Sequence, residues 1–466
     1  MTVAGILLAL VASLPAHAPS ALKQQWVREP IPGLRYIQEV FSDPPLVVHT
    51  VRFRAPESGF DMEAVVAKER VFEKSGVVSR ETVTSMARRT GAFLVVNADF
   101  FGSDGDPLGL MIRGGRLISE PYPTRSAIAW ADSTLLFDAP TWKGELVSPS
   151  GAIIPLSGVN RAAGDGDIVL YFPDGGRASS PVPGNALIFE ADATAASLGE
   201  STVVFKLVVP DTRGLEVEPG RVVLLAAGKA APRALKDLRQ NEEWRLRLSL
   251  TGTINWSAIH HALGGGPRLL TKGQVTVNGA SERFRPDLIN GRHPRTAVGT
   301  TADGEIVVVV VDGRSRFSRG VTLAELATLM KERGCADAVN LDGGGSSALW
   351  LASGVVNLPS DGVERPVANA LALFTPLPID NGATLRIEST GQTVSVGGSV
   401  QLRAVFDGGE APPADQVIWT SSGAAWVNQA GTLFGVRPGA ARVTAWYRGA
   451  SATYDTAVAG GLSLLR

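Results

Sequence analysis

The sequence predicts a sheet-rich α+β fold with a few helices, followed by a C-terminal β-sandwich. Three observations lead there. Residues 140–255 are filled with short β-like runs separated by Gly, Pro and Asp. One well-capped helix stands out, flanked by apolar strands, between residues 321 and 334. After Pro376 the composition shifts: residues 383–460 contain no Lys, and their short strands alternate apolar and polar residues.

In chain order, residues 1–18, MTVAGILLALVASLPAHA, read as a secretory signal peptide. The run from Val3 to Leu14 is too short to span a bilayer and ends in the small-residue pattern Ala16-His17-Ala18. Residues 19–60 form a Pro-rich N-terminal lead, and residues 61–376 the main domain. Within it, Glu81–Thr90 reads as a short helix running into AFLVVNADFF (92–101), an apolar strand that ends in polar residues. DIVLYF (167–172), STVVFKLVV (201–209) and RVVLLAA (221–227) read as further strands. RTAVGTT (295–301) and EIVVVVVDG (305–313) flank Ala302-Asp303-Gly304, which predicts a hairpin. The continuously apolar second strand should be buried on both faces. Thr322 and Glu325 form a capping box at the start of the following helix, and Gly334 stops it. Cys335–Leu341 is then a strand that delivers Asp342 and three glycines at its end.

At 466 residues the chain holds two or three domains. With 44 basic and 45 acidic residues its net charge is −1, which supplies no electrostatic footprint for nucleic acid or an acidic membrane surface. No later stretch is long and apolar enough for a transmembrane helix. A single cysteine, Cys335, precludes a disulfide within one chain, and its place between helix and strand suits a buried packing role.

Four stretches could carry chemistry. In VVNADFF (95–101), Asn97 and Asp99 share a face of a regular strand, though Asx residues at a strand end also serve turns. In HHALGGGPRLL (260–270), Gly265 and Gly266 either make a tight turn or expose N–H groups to an anion; no Gly-Lys-Ser/Thr follows, so this is not a P-loop. In GRHPRTAVG (291–299), His293 and Arg295 precede and open a strand, and arginine's planar fork suits phosphate or carboxylate. In NLDGGGSS (340–347), the strand-end carboxylate of Asp342 is followed by Gly343, Gly344 and the Ser346 hydroxyl, an acid/base group beside an anion cradle. HExxH, a cysteine cluster and a G-x-S-x-G elbow are all missing, which disfavours zinc and ordinary serine-hydrolase chemistry. No cofactor is expected. Asp99, Asp104 and Asp106 could together hold Ca²⁺, but their spacing does not match an EF-hand and suits a solvated acidic loop better.

Taken in order, VNADFF, ALGGGPRLL, RTAVGTTADGEIVVVVVDGR, the GVTLAELATLM helix, AVNLDGGGSSAL and PVANALALF resemble the phosphodiester glycosidase domain family, over roughly residues 60–375. The resemblance implies a hydrolase that cleaves between a sugar's anomeric carbon and a phosphate oxygen. It implies Asp342 as the carboxylate at that carbon, with Asp312 and Asp99 as second carboxylates. Arg295 and glycine amides would stabilise the phosphate, helped by His293 and Ser346, while Asn97 and Asn340 would bond sugar hydroxyls or orient water. The VGGSVQLRA, VIWTSSG and GTLFGVRPGAARVTA pieces resemble a bacterial Ig-like domain (383–460), usually a spacer or wall-binding module. The expected partner is thus a sugar-phosphate or polysaccharide, outside the cytoplasm (secreted, periplasmic or at the cell surface), with cell-wall association through the Ig-like domain. Two rival readings are a non-catalytic polysaccharide binder and a metal-dependent phosphodiesterase cleaving P–O.

Overall fold

The computed structural model describes residues 21–460 except 56–58, 74–78, 103–104, 133, 231–237 and 377–381. The segment 1–18 and Asp104 lie outside the described residues. Four sheets build the main body. The first has eight strands, running from edge to edge Leu22–Ile31, Leu34–Ser42, Pro45–Phe53, Ile306–Val311, Arg295–Thr301, Cys335–Asn340, Arg268–Thr271 and Gln274–Val275. The lead at 19–60 therefore supplies three strands of the sheet that also carries the 295–340 elements.

In the central strand Ile306–Val311 every residue is buried. Its side chains alternate between two cores: Ile306, Val308 and Val310 face one, while Val307, Val309 and Val311 face the other. The second core is closed by the helix Leu323–Glu332, whose Leu323, Leu326, Ala327 and Met330 point into it. That helix starts at a reciprocal cap: Glu325 N donates to Thr322 Oγ1 at 3.2 Å, and Thr322 N donates to Glu325 Oε2 at 2.9 Å. Gly334 follows its end at φ +81°, the left-handed region that favours glycine. Cys335 is buried, and burial pushes its thiol up to about 12.

Across the first core lies a five-stranded sheet, Gly354–Val355, Leu349–Leu351, Leu94–Asn97, Asn369–Phe374 and Asp61–Val66, backed by the helix Val83–Thr90. Another five-stranded sheet (Arg116–Ser119, Met111–Arg113, His261–Gly264, Ala127–Trp130 and Leu136–Asp138) closes the side of the same core. Its outer face packs on the remaining eight-stranded sheet, built from residues 141–251, which contains the strands expected from DIVLYF, STVVFKLVV and RVVLLAA. The body is thus sheet-rich with few helices. Residues 385–459 form two four-stranded sheets around their own core, which includes Leu402, Trp419, Val427, Leu433 and Val443.

Candidate active site

Two strand ends from two different sheets meet at the site. Leu94–Asn97 ends and the chain turns through Ala98-Asp99; Cys335–Asn340 ends and the chain turns through Leu341-Asp342. Asp342 N donates to Ala98 O at 2.8 Å, and Leu341 N to Thr296 O at 2.8 Å, so backbone bonds fix the junction. Asp342 is half-buried, the one strand-end carboxylate here that keeps solvent-accessible surface. Burial pushes its carboxyl up to about 6, with the Ser346 hydroxyl, the Gly343 N–H, Arg365 and Arg125 opposing. Gly343 N donates to Asp342 Oδ1 at 2.8 Å.

Asp99 lies deeper, 1% exposed. Its carboxylate is enclosed by two glycines: a Cβ on Gly264 would stand 2.5 Å from Asp99 Oδ2, and one on Gly109 2.7 Å from the same atom. Gly109 N donates to Oδ2 at 2.7 Å and Phe100 N to Oδ1 at 2.8 Å. Burial nevertheless pushes Asp99 up to about 7, and the charge of Asp342 adds to the rise. Two carboxyls of unequal surroundings therefore lie close enough to couple electrostatically, an arrangement suited to glycosidic chemistry.

Several residues expected to touch substrate are instead committed to the scaffold. Asn97 is fully buried: its Nδ2 donates to Asp342 O at 2.7 Å, and its Oδ1 accepts from Thr296 Oγ1 at 2.9 Å and Ala348 N at 3.1 Å. It positions Asp342 and has no oxygen or N–H turned to a sugar. Asn340 spends its Nδ2 on Gly266 O at 2.7 Å, while its Oδ1 is buried without a partner. The amides of Gly265 and Gly266 are consumed by Ser126 O (3.0 Å) and Asn340 O (2.7 Å). The triple glycine is therefore no phosphate cradle; it permits close packing, since Cβ atoms at 264, 265 and 266 would strike Asp99, Asn340 O and Glu282.

Arg295 is likewise committed to backbone carbonyls. It is 2% exposed, with Nε donating to Val321 O (3.0 Å) and one terminal nitrogen to Leu288 O (2.7 Å) and Gly291 O (2.8 Å). Burial, reinforced by Arg314, pushes it down to about 10. Its fork stitches the Pro286–Asn290 turn to Val321 rather than holding an anion. Asp312 is buried behind the site. Its Oδ2 lies 3.3 Å from His49 Nε2, and its Oδ1 accepts from Leu358 N at 3.0 Å; His49 Nδ1 is 2.7 Å from Tyr36 Oη. With the proton on His49 Nε2, all three side chains are satisfied, and Asp312 anchors the loop that carries Leu358. Ser346 is buried against Asp342, lowering it, and makes no hydrogen bond of good geometry.

Gly343 and Gly344 also fail as an amide cradle, because Gly343 N is used by Asp342 and Gly344 N donates to Pro294 O at 2.9 Å. What the run admits at Gly344 and Gly345 is arginine, with the Asp361 carboxylate equally close at Gly345. A Cβ on Gly344, whose φ is +64°, would stand 3.2 Å from an Arg314 terminal nitrogen, and one on Gly345 2.2 Å from an Arg365 nitrogen. Arg314 is exposed and donates to His293 Nδ1 at 3.1 Å; His293 Nε2 faces Asp287 O at 3.3 Å. Burial, with Arg295 and Arg314, holds His293 below its usual pKa, so it stays a neutral support for Arg314.

The residue missed altogether is Arg125. Its guanidinium lies over Tyr122 (4.3 Å), Phe284 (4.3 Å) and Phe100 (5.3 Å), and its Nε and one terminal N–H are buried without partners. Asp99 and Asp342 both act on it electrostatically. No local motif marks PTRSA, because apart from Tyr122 its partners come from distant parts of the chain. Among the described residues no group of three or more His, Cys, Asp or Glu could hold a metal ion, and no helix is long and apolar enough to cross a membrane.

Residues 200–374 match the phosphodiester glycosidase family. That span includes Asp342, Arg314 and Arg365 but not Asp99 or Arg125. An SPbeta prophage-derived uncharacterized protein YomE of Bacillus subtilis is 42% identical over 88 residues, 19% of this chain and 14% of that protein. N-acetylglucosamine-1-phosphodiester alpha-N-acetylglucosaminidase of Bos taurus is 37% identical over 88 residues, 19% of this chain and 16% of that protein. The matched stretch is thus a small part of either relative. A solved structure of a hypothetical protein from Synechocystis shares the fold at a TM-score of 0.61 and 21% identity, covering 74% of this chain and 62% of that one.

Proposed function

We propose that this chain, which carries a phosphodiester glycosidase domain, hydrolyses the bond between the anomeric carbon and the phosphate oxygen of a sugar-1-phosphodiester. The observation that carries the reading is Asp342: a half-buried strand-end carboxylate with its carboxyl pushed up to about 6, beside glycines that make room for Arg314 and Arg365 and within the field of Arg125. In this reading the arginines hold the phosphate and take up the charge that develops on the departing oxygen. Ionised Asp342 acts at the anomeric carbon, as nucleophile or as base for water. One water is consumed, and free sugar and a phosphomonoester leave. A phosphate leaving group needs little general-acid assistance, so charge stabilisation is the larger demand.

The name of the bovine relative supports an N-acetylglucosamine-1-phosphodiester or a similar substrate. The apolar segment at 1–18 supports export, and hence cell-wall or exopolysaccharide material as the source. The alternating strands after residue 383 support a bacterial Ig-like module in the C-terminal part.

The test is incubation with a panel of sugar-1-phosphodiesters, teichoic and capsular fragments included, with products identified by mass. Free sugar plus phosphomonoester is expected, and Asp342→Asn should lose at least about a hundredfold in kcat while staying folded. Sugar phosphate as product would overturn the bond assignment, and near-normal turnover by Asp342→Asn would remove that residue from the chemistry.

A further inference from the structure

The C-terminal sheets do more than follow the main body in sequence. Both arginine-bearing loops at the Gly343–Gly345 turn are gripped by them. The first loop, residues 313–319, presents Arg314. Three residues on, the Phe317 ring packs against Trp426 (centroids 5.2 Å) and Phe434 (5.7 Å), which themselves stack at 5.5 Å. Next to it, Arg316 donates to Gly435 O at 2.5 Å. The second loop, residues 357–365, presents Arg365. There Arg437 donates to Gly362 O at 2.7 Å, close enough that a Cβ on Gly362 would stand 2.6 Å from its guanidinium.

From the main body, the same two loops share an anchor. Ser318 Oγ donates to Asp312 O, and Leu358 N to Asp312 Oδ1 at 3.0 Å. The anchor fixes where each loop leaves the sheet. It does not itself reach the arginine-bearing turns, where Arg314 adopts φ +56° and meets His293 at 3.1 Å, and where Arg365 is an exposed residue paired with Asp361 beside Glu364, whose carboxylate accepts from Thr84 N at 2.9 Å. For a non-glycine residue such a φ persists only where its surroundings hold it.

We propose that the C-terminal sandwich is a positioning element of the active site. By clasping Phe317 and Gly362 it holds Arg314 and Arg365 at the Gly343–Gly345 turn, and so sets the affinity of the site for a phosphate group. The proposal rests on the functional reading above for the identity of the anion, though not for the clasp itself. Phe317, Trp426 and Arg437 are positioning residues that touch no substrate.

The test uses the full chain with Phe317→Ala and Arg437→Ala, and Phe317→Trp as the conservative partner. Three readouts apply: amide hydrogen exchange in 313–319 and 357–365, the Kd for inorganic phosphate, and KM against kcat for a sugar-1-phosphodiester and for a neutral aryl glycoside of the same sugar. Both alanine variants should raise exchange in the loop each one frees. They should weaken phosphate and lower the phosphodiester kcat/KM at least about fivefold, with the aryl glycoside changed less than about twofold; Phe317→Trp should restore both. Unchanged exchange, or faster exchange with unaltered phosphate affinity, overturns the proposal, as does a wild-type protein that binds no phosphate. If wild type binds phosphate and the alanine variants weaken it, yet no phosphodiester releases sugar, the clasp stands and the functional reading falls.

Discussion

Asp342 and Asp99 are electrostatically coupled carboxyls in different surroundings, pushed up to about 6 and about 7. Asp342 must be ionised to act at carbon, so kcat/KM should rise with pH through about 6. Above about 7 Asp99 ionises as well and competes for Arg125, so the rate should fall again. A bell-shaped profile is expected, and Asp99→Asn should keep the acid limb while removing the alkaline one; an unchanged alkaline limb would detach it from Asp99. Because both carboxyls lie above their ordinary range when folded, the folded state holds protons that the unfolded chain has released. Their contribution therefore erodes stability as pH rises from about 4 to about 7. At this scale the sequence was a partial guide. Asp342 is legible as a strand-end carboxylate before a triple glycine. Arg295 and Arg314 are not separable by type, and only their partners decide: three backbone carbonyls take Arg295, whereas Arg314 stands exposed over Gly344.

Among the elements, both glycine runs were legible as places of close approach, but not what approaches. At 264–266 it is Asp99, Asn340 O and Glu282; at 343–345 it is Pro294 O, the Arg314 guanidinium and the Arg365–Asp361 pair. Gly264→Ala should therefore cost about 2 kcal/mol or more, since its Cβ would meet a buried carboxylate, and urea unfolding would measure it. A cost below about 0.5 kcal/mol would mean that Asp99 can swing aside. The helix at 323–332 and the hairpin at 295–311 were readable because their signals are local: a capping box, a Gly stop and an Asp-Gly turn. The strands at 22–53 were not, since they pair with one another and then with Ile306–Val311, far along the chain.

Across the whole molecule, the C-terminal sheets are joined to the main core. Trp446 packs edge-on against Phe93 at 5.5 Å, and Ile418 and Trp446 belong to the same buried cluster as Leu94, Val308 and Leu371. Additional ties run from Arg28 and Gln38 to Gln429. Such an interface should make heat unfolding a single cooperative transition, with Trp446→Ala costing about 3–5 kcal/mol. Two separated transitions in calorimetry would count against it.

By itself the sequence determined the sheet-rich class, the capped helix, the break in composition after Pro376 and the carboxylate at residue 342, because periodicity, caps and turn residues act over a few neighbours. Tertiary structure alone decided which polar side chains remain available to a ligand. That depends on which groups arrive beside each one: a carbonyl 245 residues on takes Asn97 and carbonyls 4, 7 and 26 residues away take Arg295, while Arg125 and Arg365 act on Asp342 and Arg314 lies over Gly344.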